Sequence, residues 1–93
     1  MKPLSAQEIQ THLGHVPGWT LDGAKIHKTF RFPTFPAAIA FVDKVAVIAQ
    51  AADHHPDITI HFDRVTLTLS THDAHGLTER DFALAAEIET VAP

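Results

Sequence analysis

Two short runs could do acid–base chemistry: Asp53-His54-His55-Pro56 and Ser70-Thr71-His72-Asp73. Histidine gains and loses a proton near neutral pH, so it can serve as general acid or general base. A reaction that expels water needs both, an acid for the departing hydroxyl and a base for a substrate proton. Carboxylates beside such histidines, here Asp53, Asp73 and Asp81, fix tautomers and favour the imidazolium. Pro56 holds His55 in extended backbone and so restricts where its ring points. The chain has 8 histidines in 93 residues. His12, His15, His27 and His61 form no constellation and are assigned to the surface, and His75, before Gly76 in a turn, is a lesser candidate.

Plainer readings compete. His54 and His55, at a helix end, could cap its last carbonyls. Asp81, three residues after Thr78, stands where a capping-box acid belongs, a role compatible with one in the site. Three imidazoles can hold zinc. However, neighbours such as His54 and His55 point apart and no H-E-x-x-H spacing is present, so no metal is expected.

The elements that must position these residues follow from hydrophobic period. Ser5 and Glu8 form a capping box ahead of Ile9 and Leu13, and Gly14 with Pro17-Gly18 ends that helix. Trp19 and Leu21, then Ile26, Phe30 and Phe32, predict a hairpin about Asp22-Gly23, with Lys28 the one exception in parity. A long helix from about Phe35 to Asp53 is apolar nearly all round, with only Asp43, Lys44 and Gln50 marking a wet side. Such a helix is covered on more than one face, which in so short a chain points to a second subunit. Ile58, Ile60 and Phe62, then Val65, Leu67 and Leu69, alternate with polar residues. A two-residue turn at Asp63-Arg64 would pair Phe62 with Val65, Ile60 with Leu67 and Ile58 with Leu69, all on one face. Thr78 caps a last helix with Leu84, Ala85, Ile88 and Val91 as its stripe. The order is α-β-β-α-β-β-α, an α+β fold with a four-stranded antiparallel sheet and helices packed on one face. If Ile58 lies beside Leu69, then His54, His55 and His72 converge at one end of that sheet.

The bulk numbers narrow the function classes. The net charge is −4, from 7 basic and 11 acidic residues, which argues against a nucleic-acid partner. The absence of cysteine excludes disulfides and thiolate metal sites and fits a reducing compartment. MKPLSAQEIQ has no apolar core of a signal peptide, and no run is expected to reach the roughly 18 apolar residues that span a bilayer. One domain over residues 1–93, in the cytoplasm, is the expectation.

The run from Gln50 to Glu89 resembles the core of pterin-4a-carbinolamine dehydratases. It carries His54-His55-Pro56, Phe62, His72 and Asp81 at that family's spacing, with Gly76-Leu77-Thr78 and Arg80-Asp81, and Gly18-Trp19 near the start fits as well. The resemblance implies dehydration of 4a-hydroxytetrahydropterin to quinonoid dihydropterin and water, which recycles the cofactor of aromatic amino-acid hydroxylases. It implies no metal or organic cofactor, and homodimers or homotetramers. It makes His55 and His72 the acid–base pair and His54 their support. Asp81 would orient His72, and Asp53, Pro56, Thr71 and Asp73 would line the pterin site. Two positions depart from the pattern. Gln50 stands where an ionisable group is common; it can hydrogen-bond a pterin edge but cannot carry a proton. Ile58 stands where an aromatic is common. A second class of function is a non-enzymatic dimerisation or assembly cofactor that binds a partner protein, and a third is a small metal-binding domain. The set of converging histidines favours the enzyme.

Overall fold

The first helix begins where Ser5 and Glu8 cap each other. The Ser5 hydroxyl accepts the Glu8 N–H at 3.2 Å, and the Glu8 carboxylate accepts the Ser5 N–H at 2.8 Å. In the computed structural model, which describes residues 2–93, this helix is α1 (Ala6–Leu13). It is followed by β1 (Thr20–Asp22), β2 (Lys25–Arg31), α2 (Phe35–Ala52), β3 (Asp57–His61), β4 (Arg64–Leu69) and α3 (Glu79–Glu89), with a 3₁₀ turn at His72–Ala74. The four strands form one antiparallel sheet in the order β1-β2-β4-β3. The α+β order read from hydrophobic period is the observed one.

The sheet keeps one dry face. Ile26 and Phe30 of β2 sit beside Leu69 and Val65 of β4, and all four are buried. Onto them α2 lays Ala38, Phe41 and Val45, and α3 lays Phe82, Leu84, Ala85 and Ile88. The Phe41 ring lies 4.9 Å from that of Phe30 and 5.0 Å from that of Phe32. Lys28, the exception in parity, is on this face too, and the structure accounts for it. Its ammonium pairs with Glu89 at 2.9 Å and lies 4.9 Å from the centre of the Phe30 ring, while its stem covers apolar surface. The other face is polar, and Thr29 and Thr66 share a hydrogen bond across it at 2.8 Å.

Three local expectations need correction. The β3–β4 register is displaced by two residues: Ile60 pairs with Val65 and Ile58 with Leu67, closing on His61 and Arg64. The turn is therefore Phe62-Asp63, and Phe62 adopts a left-handed conformation with φ 59°. The displacement is even, so every side chain keeps its face. In the first hairpin Asp22 pairs with Lys25, so the turn is Gly23-Ala24. Gly23 takes φ 61° there, which costs a glycine little.

The third correction concerns the long helix. Over its 18 residues α2 has a mean hydropathy of 1.5, long and apolar enough by length and composition to cross a membrane. In this fold one stripe of it enters the core. Ala38, Phe41, Val45 and Ala49 form one buried stripe, and Asp43 and Lys44 lie on the opposite side. Within one chain that far side is open: Val47 is 72% and Phe35 47% exposed. The edge strand β3 likewise leaves Ile58 and Ile60 exposed.

Candidate active site

Both histidine runs sit where a regular element stops. The α2 helix ends because Asp53 turns left-handed, with φ 50° and ψ 43°, and its N–H closes on the last carbonyls. The imidazoles do not serve as the cap. The chain leaves as Asp53-His54-His55-Pro56 and enters β3 at once. Across the sheet β4 ends at Leu69, and Thr71 bridges Gly76, with the Thr71 N–H donating to the Gly76 carbonyl at 3.0 Å. That closed loop presents His72 and Asp73. The two runs thus border one open cleft of about 360 Å³, lined by Asp53, His54, His55, Ser70, Thr71, His72, Asp73 and Arg80.

Asp81 underlies the cleft without lining it. Its carboxylate is fully buried and accepts three hydrogen bonds: from His54 Nε2 at 2.5 Å, from the Thr71 hydroxyl at 2.8 Å and from the Thr78 N–H at 3.0 Å. The hydroxyl protons then have only one consistent arrangement. Thr71 gives its proton to Asp81, Thr78 donates to Thr71 at 2.9 Å, and the Thr78 oxygen accepts the Arg80 N–H at 3.3 Å. No buried side-chain polar atom among the described residues lacks a partner, as a buried charge requires. Asp81 is both the capping-box acid of α3 and a site residue.

Each proposed residue can now be placed. Asp81 bonds His54, not His72 as the resemblance implies. His54 is buried against the first turn of α3, whereas His72 is exposed. With a carboxylate on Nε2, His54 carries its proton there. His55 is exposed and meets Gln50 Oε1 at 3.1 Å through Nε2, so Gln50 touches the cleft through His55 and does not line it. Pro56 is half-buried beside the cleft rather than in its wall. No hydrogen bond holds the His72 imidazole among the described residues. No three His, Asp or Glu side chains among them gather as metal ligands would.

Arg80 and Ser70 also line the cleft; both belong to runs the sequence marks, but neither is given a role in the site there. Arg80 had a signal. A cation in the first turn of a helix opposes the helix dipole and so calls for a reason. The guanidinium reaches back to the Asp53 carbonyl and ties the start of α3 to the end of α2.

Fold and cleft together define a small α+β protein with a histidine-lined cleft at one end of its sheet. The family model described as pterin 4 alpha carbinolamine dehydratase matches residues 2–91, and the chain belongs to that family. It is 56% identical over 88 residues to a protein of Roseiflexus sp. strain RS-1, covering 95% of each chain. It is 56% identical over 91 residues to one of Chloroflexus aurantiacus, covering 98% of each. Both carry the provisional name pterin-4-alpha-carbinolamine dehydratase. A crystal structure of a transcriptional coactivator/pterin dehydratase from Brucella melitensis superposes with a TM-score of 0.93 at 33% identity, over 99% of this chain and 100% of that one. A pterin dehydratase-like RuBisCO assembly factor of the alpha-carboxysome shares the fold, with a TM-score of 0.66 at 24% identity over 80% and 86% of the two chains.

Proposed function

We propose that this chain, as one domain over residues 1–93, catalyses the dehydration of 4a-hydroxytetrahydropterin to quinonoid dihydropterin and water. The C4a–O bond breaks, an acid protonates the hydroxyl as it leaves, the N5 lone pair forms the C4a=N5 bond, and a base takes the N5 proton. Nothing is oxidised or reduced overall, so two positioned proton carriers suffice. The observation that carries the reading is the convergence of His55 and His72 on a cleft whose third histidine is already committed to a buried carboxylate.

Among the described residues His72 has no competing partner and His55 is held only by Gln50 (3.1 Å), so these two share the acid and base roles. His54, fixed by Asp81, supports the ring and keeps the ends of α2 and β4 together. Asp53, Thr71 and Asp73, with Ser70 and Arg80, offer donors and acceptors to the polar edge of a pterin. The product would return to aromatic amino-acid hydroxylases in the cytoplasm, and the working form would be a homodimer or homotetramer. The test is dehydration by purified protein against the spontaneous rate, with His55→Ala and His72→Ala beside it. Each variant is expected to lose about 10²-fold or more in kcat. A wild-type rate equal to the spontaneous one would end the enzyme reading.

A specific observation favours a second reading, a partner-binding module. Phe35, Val47, Ile58, Ile60 and Phe62 are all exposed, more large apolar side chains than a free surface needs. A pure binding module would keep this surface and tolerate loss of His72.

A further inference from the structure

A second open pocket adjoins the cleft. Ser70, Thr71 and His72 belong to both, and Ala24, Lys25, His75 and Gly76 complete the second, whose volume is about 370 Å³. His72 therefore stands at the junction of the two. Their charges differ. The cleft carries Asp53, Asp73 and Arg80, whereas the second chamber carries Lys25, His72 and His75 and no carboxylate.

The nearest carboxylates belong to Asp22, the ladder partner of Lys25, and to Asp73, next to His72, and neither pairs with the set. No carboxylate lies within 4.0 Å of the Lys25 ammonium among the described residues. The imidazole of His75, like that of His72, has no hydrogen-bond partner there. Both groups are held by rigid backbone. Lys25 opens β2 next to Ile26, whose ladder partner is Leu69, so the register sets it across from Ser70. His75 is fixed left-handed at φ 56°, with its N–H on the His72 carbonyl at 3.0 Å.

We infer that the second chamber binds a phosphate monoester at the end of a short side chain on the pterin that the cleft holds. This rests on the pterin reading above. A doubly charged phosphate matches an ammonium flanked by imidazole donors better than a single carboxylate does. The two pockets share His72, so a short side chain on a ring beside His72 in the cleft could reach the second one.

The test uses two stable, fluorescent pterins that differ by one group, 6-hydroxymethylpterin and its phosphate monoester, titrated against the whole protein. The phosphate is expected to bind about tenfold more tightly at low salt, as two partly exposed charge contacts allow. The advantage should shrink as salt rises and fall to within about twofold in Lys25→Gln/His75→Gln. Both side chains are exposed, so a circular dichroism melt should find that variant folded, and Lys25→Arg should keep the preference. If the alcohol binds and the phosphate has no advantage, or the variant keeps the full advantage, this inference alone falls. If neither pterin binds, the pterin reading falls with it.

Discussion

Asp81 carries three donors on two oxygens, and two of them, His54 and the Thr78 N–H, would be stranded if the carboxylate were removed. Asp81→Ala is expected to cost about 2–4 kcal/mol, because His54 and the Thr78 N–H are buried with no other acceptor among the described residues, while Thr71 keeps only the Thr78 hydroxyl. The melting temperature should fall by roughly 8–30 °C, given about 4–8 °C per kcal/mol for a domain of this size. His72→Ala is the opposite case. The side chain is exposed and unbonded, so a calorimetric melt should move by no more than a few degrees while turnover falls about 10²-fold. A variant that loses both would make His72 structural. Histidine spacing and the capping pattern made the cleft legible, down to the dual use of Asp81. The partner of Asp81 was not legible, because the choice between His54 and His72 depends on which one the first turn of α3 covers. Arg80 was overlooked for a related reason: its role is a contact to a backbone carbonyl, which leaves no pattern in side-chain types.

Among the elements, the capping of α1 makes its own prediction. The Ser5 backbone N–H, then the Ser5 side chain, hold the Glu8 carboxyl below its ordinary value of 4.5. A lowered carboxylate pKa contributes stability above the unfolded value and loses it as pH falls through the folded one. The first turn of α1 should therefore loosen in acid, below about pH 4.5, ahead of the sheet, and Glu8→Ala should remove that dependence. Amide exchange of Gln7 to Gln10 as a function of pH would read both. Element order was legible because period and caps agree along the whole chain. The β3–β4 turn was not. A bulky aromatic seldom takes a left-handed conformation, so Phe62 gave no cue that it, rather than Arg64, would sit in the turn.

For the whole molecule, the open side of α2 and the bare edge of β3 lie on a chain of 10.2 kDa. The prediction is a mass in solution of two or four chains by light scattering. Ile60→Lys should lower that mass and also the melting temperature, since an edge strand carrying a charge resists pairing. A wild-type monomer at micromolar concentration would leave these apolar groups to another partner. The apolar content of α2 was plain in the sequence, but one chain cannot say what covers its second side. Asp81 adds something at this scale, because one carboxylate joins the start of a helix, the end of a strand and a histidine 27 residues away. Chemistry and folding therefore share a fuse. Mild denaturant that only frays the first turn of α3 releases His54 and distorts the cleft, so turnover should fade before circular dichroism registers any loss of structure, and the assay doubles as a gauge of that single turn.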